Sequence, residues 1–274
     1  MQTGFTGEFF HIRNLLKVLG LIMISINSHS QESQAMQGSS AIILVHGAFT
    51  DGSVWTPVIA ELQLKGYDVI AVQNPLTSLE ADVDSTVRAI RRYHRNVFLV
   101  GHSWGGAVIT QAGNLPAVTG LLYLSALAPD TGESVNDLLS FLNVPLPKLN
   151  VDNSGFAWID DPHDYKSVMA DDLSQMRVNQ LAAVQKPIYA SSFSEKIVNA
   201  AWREKPTWYS VTSRDNALPL AVQEAIARRM NAKVTYIDSS HLSMLAHPVE
   251  VATIIDRAAK QAAQLQAQEN LSKY

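Results

Sequence analysis

The chain has 274 residues, of which 47% are hydrophobic and 17% are charged, a composition typical of a globular protein with a large buried core. This length suits one large domain, or one domain that carries an insertion. The formal net charge of -4 provides no basic surface of the kind that binds nucleic acid or an anionic membrane, so we expect neither partner.

Residues 1–30 have the pattern of a secretory signal peptide. Arg13 and Lys17 precede the apolar stretch VLGLIMISI (18–26), and SHS (28–30) offers small side chains to a signal peptidase. The apolar stretch is too short to span a bilayer as a helix. A frayed terminus or a buried helix is the alternative interpretation. We expect a secreted or periplasmic protein that begins near Gln31 and has no stable membrane association after cleavage.

From residue 41 onward, short apolar runs alternate with helical patterns. The runs predicted to be strands are AIILVHG (41–47), YDVIAVQ (67–73), VFLVGH (97–102), GLLYLSALA (120–128), TWYSVTS (207–213) and KVTYIDS (233–239). Helices are predicted at 55–66, 77–93, 104–114, 219–230 and 248–266, and Thr77 with Glu80 is expected to form a capping box. This alternation predicts an α/β fold with a mostly parallel six-stranded sheet flanked by helices.

Residues 129–205 interrupt the alternation. They contain several prolines, scattered aromatic residues and short helical patterns such as DLSQMRVNQLAAVQ (172–185). Open α/β sheets bind ligands at the carboxyl ends of their strands, so we expect this segment to be a helical lid over that edge. Extra helices packed on the side of the sheet are the alternative. The predicted core then comprises 31–128 and 206–274.

The motif GHSWG (101–105) follows a predicted strand and precedes a predicted helix. A G-x-S-x-G motif in this context is typical of a nucleophile elbow, a strained turn that exposes a serine hydroxyl above the sheet edge. Ser103 is therefore the predicted nucleophile.

A serine hydroxyl needs a neighbouring base to accept its proton. His241 comes directly after the last predicted strand and reaches the same sheet edge as Ser103, so it is the predicted base. His46 and His102 stand beside glycine turns, where structural hydrogen bonds are expected. His163 lies in the acid-rich stretch DDPHDY (160–165), which we interpret as a solvated loop rather than a metal site.

The base in turn needs a carboxylate that fixes its tautomer. Asp215, in the loop after the strand at 207–213, is the predicted acid, and Asp130, after the strand at 120–128, is its rival. The chain order Ser103, Asp215, His241 matches the order of nucleophile, acid and base in proteins that carry a nucleophile elbow.

An oxyanion hole completes the predicted site. HGAF (46–49) ends the first predicted strand in a glycine turn, and the backbone amides of Ala48 and Trp104 are the expected donors. Phe49 and Trp158 are predicted to line the substrate pocket. The predicted chemistry needs no metal and no organic cofactor.

The motifs LVHGAFTDGSVW (44–55), LVGHSWGGAVI (99–109), TSRDNALP (212–219) and SSHLSMLAHPVEVA (239–252) resemble those of the α/β-hydrolase superfamily. Within it, the chain is similar to the small serine esterases related to plant methyl esterases and hydroxynitrile lyases. The resemblance covers nearly all of residues 41–260 and implies the same roles for the triad and the oxyanion donors. The lyases carry a lysine directly after the catalytic histidine, where this chain has Leu242.

Together these patterns predict a serine hydrolase, in particular a carboxylesterase that cleaves small esters through an acyl-enzyme. The same fold also supports a lyase, a C–C bond hydrolase or a cofactor-free perhydrolase. A ligand receptor with very slow turnover is the non-enzymatic alternative.

Overall fold

The computed structural model describes residues 40–94, 96–144 and 150–272 of the chain. The predicted signal peptide, residues 1–30, lies outside the described residues. Within the described ranges, no helix combines the length and the apolar character needed to cross a membrane.

Six parallel strands form the central sheet: β1 (Ala41–Val45), β2 (Val69–Val72), β3 (Val97–His102), β4 (Val118–Leu124), β8 (Thr207–Thr212) and β9 (Lys233–Ile237). Their spatial order is β2-β1-β3-β4-β8-β9. The four central strands are buried throughout, as expected for apolar, β-branched runs covered on both faces. The predicted six-stranded parallel sheet is confirmed, and all its carboxyl ends meet at one edge.

The helices that connect these strands along the chain, or follow the last of them, cover the sheet. They are α1 (Thr56–Leu64), α2 (Leu79–Arg91), α3 (Trp104–Ala112), α7 (Leu220–Arg229), the short α8 (Ser243–Ala246) and α9 (Pro248–Leu271). The predicted capping box at Thr77 is wrong. Ser78 is the N-cap of α2, and its hydroxyl accepts a hydrogen bond from the amide of Ala81 at 3.0 Å. Thr77 and Ser78 are both good N-cap residues, so the sequence alone did not distinguish them.

The insertion, residues 129–205, contains helices and a second sheet. The helices are α4 (Val135–Phe141), α5 (Pro162–Met169) and α6 (Gln175–Ala183). The strands β5 (Asn150–Val151), β6 (Phe156–Trp158) and β7 (Ile188–Tyr189) form a small antiparallel sheet in the order β5-β6-β7. The predicted helical insertion therefore contains strands as well as helices. Strands of two or three residues are too short to show a period of two in the sequence.

The insertion is joined to the carboxyl edge of the central sheet by hydrogen bonds to backbone carbonyls. The Tyr165 hydroxyl donates to the Phe49 carbonyl at 3.1 Å, and the Tyr189 amide donates to the Leu76 carbonyl at 2.8 Å. Both acceptors lie in loops that follow strands of the large sheet. A function of this segment as a lid remains a prediction.

Candidate active site

Ser103 lies at the turn between β3 and α3. Its backbone has φ 52° and ψ -120°, a conformation that an L-residue adopts only under strain. A Cβ atom at Gly105 would lie 2.4 Å from the Val45 carbonyl oxygen, so the helix can pass this close to β1 only with glycine there. Ser103 is half-buried, whereas the residues on both sides of it are buried. The turn thus holds the serine side chain at the surface of a closely packed edge.

His241 and Asp215 form a buried pair. The His241 Nδ1 lies 2.7 Å from the Asp215 Oδ2, and their side chains are 2% and 0% exposed. A carboxylate only accepts, so Nδ1 carries the proton and Nε2 keeps its lone pair free to act as a base. The structure therefore brings together the predicted base and the predicted acid, on the loops that follow β9 and β8.

Neutral groups supply the other hydrogen bonds to Asp215. The amides of Ala217 and Leu218 donate to Oδ1 at 2.9 and 2.8 Å. The Thr212 hydroxyl at 2.7 Å and the Gln223 side-chain amide at 3.2 Å donate to Oδ2. These donors fix the carboxylate without neutralising it, so its negative charge remains directed at His241.

His102, the residue before Ser103, contacts His241 directly. Its Nε2–H donates to the His241 carbonyl at 3.0 Å, and the two ring centroids are 4.5 Å apart. Burial lowers the pKa of His102 well below its ordinary value, and the neighbouring His241 lowers it further. The neutral ring therefore links the serine turn to the histidine loop.

His46 stabilises the loop after β1. Its Nδ1–H donates to the Gly47 carbonyl at 2.8 Å, and its Nε2 accepts from the Asn74 amide at 3.0 Å. Burial lowers the pKa of His46 to about 4, which keeps the ring neutral in this arrangement. The prediction that His46 and His102 make structural hydrogen bonds is confirmed.

The two expected oxyanion donors belong to segments that adjoin Ser103. A Cβ atom at Gly47 would lie 2.7 Å from the Ser103 Cβ, so the loop that carries Ala48 touches the serine. Trp104 is the first residue of α3, where backbone amides point away from the helix without an internal partner. Among the described residues, no hydrogen bond is formed by the amide of Ala48 or of Trp104. Their use as an oxyanion hole is consistent with this arrangement and remains a prediction.

A buried carboxylate that we did not single out from the sequence holds the Trp104 side chain. The Trp104 indole donates to Asp82 Oδ2 at 2.7 Å, and the Leu76 amide donates to Oδ1 at 2.7 Å. Burial raises the pKa of Asp82 to about 6, against the opposing effect of these two hydrogen bonds. The position of Asp82 in the first turn of an amphipathic helix gave no signal that it faces inward.

Asp130, the rival acid, lies in an ion-pair cluster. Arg203 forms a two-pronged contact with its carboxylate, and Arg229 Nη2 lies 3.4 Å from Oδ2. The Thr131 amide donates to Oδ1 at 2.7 Å. Burial would raise the pKa of Asp130, but the hydrogen bond and charge of Arg203, together with Arg229, hold it below the usual range.

The two predicted pocket residues lie in different environments. Phe49 directly follows Ala48, is largely buried and has a positive φ of 59°. Trp158 lies on β6, where its indole donates to Asp152 Oδ2 at 3.0 Å. Phe49 is therefore adjacent to the candidate oxyanion site, whereas the hydrogen bond of Trp158 stays within the small sheet. Their contact with a substrate remains a prediction.

The part of the chain that the structure describes contains no group of three or more His, Asp or Glu side chains arranged to hold a metal ion. His163, in the first turn of α5, is exposed, and its ring lies 3.9 Å from the Asp164 carboxylate.

Comparisons with known proteins agree with this architecture. The model of the alpha/beta hydrolase family matches residues 42–254. The chain is 26% identical over 247 residues to the alpha/beta hydrolase nvfD of Aspergillus novofumigatus, which covers 82% of this chain and 98% of that protein.

Two solved structures share the fold. The pyrethroid hydrolase PytH superposes with a TM-score of 0.70 at 22% identity, covering 82% of this chain and 98% of the other. Polyneuridine aldehyde esterase superposes with a TM-score of 0.68 at 17% identity, covering 79% and 98%. Because the family model spans most of the residues described, the chain belongs to the alpha/beta hydrolase family.

Proposed function

We propose that this protein is a serine carboxylesterase that cleaves small-molecule esters through an acyl-enzyme. The Ser103 Oγ attacks the ester carbonyl while His241 Nε2 accepts its proton, and Asp215 stabilises the resulting imidazolium. The amides of Ala48 and Trp104 stabilise the negative oxygen. His241 then protonates the departing alcohol, and a water molecule activated by the same histidine releases the acid. These steps use no metal or organic cofactor.

One observation carries the proposal: His241, which is hydrogen-bonded to Asp215, contacts the residue directly before the strained turn of Ser103. His102 joins the two parts because it precedes Ser103 in the chain and donates to the His241 carbonyl. An acid, a base and a hydroxyl at one sheet edge are the components of nucleophilic acyl transfer. Membership of the alpha/beta hydrolase family and the names of the two structural neighbours, one a hydrolase and one an esterase, support the same chemistry.

A panel of p-nitrophenyl esters of increasing acyl length tests the proposal. We expect hydrolysis of the short esters with a burst of p-nitrophenol. Ser103→Ala should lower kcat by about 10⁶, by analogy with the loss of a nucleophilic serine in a protease. The circular dichroism spectrum of the Ser103→Ala variant should match that of the wild type.

Three outcomes would overturn the assignment. Release of an aldehyde or ketone instead of an acid would indicate a lyase or a C–C bond hydrolase. Peroxide-dependent halogenation as the main activity would indicate a perhydrolase. A single burst with negligible steady-state turnover across the panel would indicate a slow-turnover receptor.

We also propose that the enzyme works outside the cytoplasm, as a secreted or periplasmic protein, after removal of residues 1–30. The charged, apolar and small-residue segments of this stretch support export. N-terminal sequencing of the exported protein should read from near Gln31. A mature protein that begins at Met1 would contradict the proposal.

A further inference from the structure

Asp172, in the turn between α5 and α6 of the insertion, accepts three hydrogen bonds from the two residues that precede His241. The Ser239 hydroxyl and the Ser240 amide donate to its Oδ2 at 2.7 and 2.8 Å. The Ser240 hydroxyl donates to its Oδ1 at 2.5 Å. The Asp172 side chain is only 9% exposed. Both oxygens of the Asp172 carboxylate therefore bind the two residues directly before the candidate base.

Neighbouring carbonyls of the insertion hold the residues on the other side of His241 and beside Asp215. The Leu242 amide donates to the Met169 carbonyl at 3.1 Å. The Asn216 side-chain amide donates to the Ser167 carbonyl at 2.7 Å. Ser167, Met169 and Asp172 thus contact the two loops that carry the His241–Asp215 pair.

From this geometry we propose that Asp172 is a positioning residue, which sets the place of the His241 backbone relative to Asp215 and Ser103. The proposal rests on the proposed function of His241 as the base. Asp172 has no hydrogen bond with the His241 ring itself, so it acts through the backbone of residues 239–240. Small errors in the placement of a catalytic group are costly, since a displacement of about 1 Å can reduce the rate by about 100-fold.

The surroundings of Asp172 keep it in the ionised form that this function requires. Burial would raise its pKa, but the hydrogen bonds from Ser240 and Ser239 hold the pKa below the usual range of an aspartate. The Arg214 guanidinium, 3.9 Å from Oδ2, adds a favourable charge. A carboxylate can accept from all three donors at once, whereas a protonated or amide side chain has fewer acceptor sites.

The test compares Asp172→Ala, Asp172→Asn and the control Asp171→Ala, which removes an exposed carboxylate one residue away. We expect Asp172→Ala to lower kcat by about 10- to 100-fold with KM nearly unchanged. Asp172→Asn keeps one acceptor and the side-chain shape, so it should recover part of this loss. Asp171→Ala should match the wild type.

A second readout follows the His241 Nδ1–H proton by NMR at low field, where a proton hydrogen-bonded to Asp215 is expected. Asp172→Ala should broaden or shift this resonance, while Asp171→Ala should leave it in place. If Asp172→Ala fails to fold, Asp172→Asn provides the same two measurements. Wild-type kcat together with a wild-type resonance in the folded Asp172 variants would overturn the proposal.

The two readouts separate this proposal from the proposed function. If the wild-type protein hydrolyses no ester, the carboxylesterase assignment fails, yet the resonance still reports whether Asp172 positions His241. If the wild type is active and the resonance and kcat are insensitive to Asp172, only the positioning proposal fails.

Discussion

Two buried aspartates lie in loops at the same edge of the central sheet, and their partners differ in charge. Asp130 follows β4 and is paired with the guanidinium groups of Arg203 and Arg229. Asp215 follows β8 and is held by neutral donors and by His241. A carboxylate already neutralised by two arginines has little electrostatic effect left for an imidazolium. The charge of its hydrogen-bond partners, rather than its position after a strand, therefore decides which aspartate can stabilise a protonated histidine.

The helix α7 contributes to both environments. Gln223, in its first turn, donates its amide to Asp215, and Arg229, at its end, reaches Asp130 and Glu133. Arg229 Nη2 lies 2.6 Å from Glu133 Oε1, so the cationic end of this helix is fixed to the first residues of the insertion. One helix therefore supplies a neutral donor to the candidate active site and a charge to the base of the insertion.

The largest loss of ester hydrolysis is expected from the substitution Asp215→Asn. Asparagine keeps the shape of the side chain but favours the wrong tautomer of His241, a change that costs about 10⁴ in kcat in a serine protease. We expect a loss of several orders of magnitude in ester hydrolysis, measured as kcat with p-nitrophenyl acetate. Asp238→Asn, which removes an exposed carboxylate bound to Arg214, is the matched control and should stay close to wild type. A loss of less than tenfold in Asp215→Asn would refute the comparison.

Asp130→Asn should have a much smaller effect on turnover. Because its carboxylate holds arginines rather than the histidine, we expect kcat to fall by at most about tenfold, through a looser insertion. The same ester assay measures it. A loss as large as that of Asp215→Asn would move the acid function to Asp130.

The smallest expected effect is that of Asp130→Asn on the free energy of unfolding, and it depends on pH. The folded-state pKa of Asp130 is lowered, so its charged form stabilises the protein above the ordinary aspartate pKa of about 3.9, and this stabilisation is lost as the pH falls through the folded value. At pH 7 we expect Asp130→Asn to lower the free energy of unfolding by about 1–2 kcal/mol.

Urea unfolding of both proteins between pH 7 and pH 3 measures this difference. The difference should shrink as the pH falls below about 4, because the Asp130 carboxylate of the unfolded chain then takes up a proton while that of the folded protein is still charged. A difference that stays constant down to pH 3 would show that the ion pairs of Asp130 do not stabilise the fold through charge.

The central sheet and the serine turn could be predicted from local sequence because each is encoded within a few residues. The apolar, β-branched runs predict the buried strands directly. The glycines around Ser103 are required by close contacts, such as that of Gly105 with the Val45 carbonyl. Local sequence does not distinguish Asp215 from Asp130 as the acid. The distinction depends on Arg203 and Arg229, which lie 73 and 99 residues beyond Asp130 in the chain.

The insertion could be predicted least well. Its strands are too short to show a period, and the hydrogen bond of Trp158 to Asp152 is formed within a hairpin that the sequence did not reveal. Asp172 belongs to an acidic pair in a turn, a pattern typical of a solvated loop. Only the folded chain brings it to Ser239 and Ser240, 67 and 68 residues away.

The most direct test of the account is the site and rate of labelling by a fluorophosphonate, followed by mass spectrometry of the digested protein. The reagent should modify Ser103 alone in the wild type. Labelling should be at least about 10³-fold slower in Asp215→Asn and within about tenfold of wild type in Asp130→Asn, since only Asp215 orients the base. Modification at another residue, or the reverse ranking of the two aspartate variants, would contradict the account.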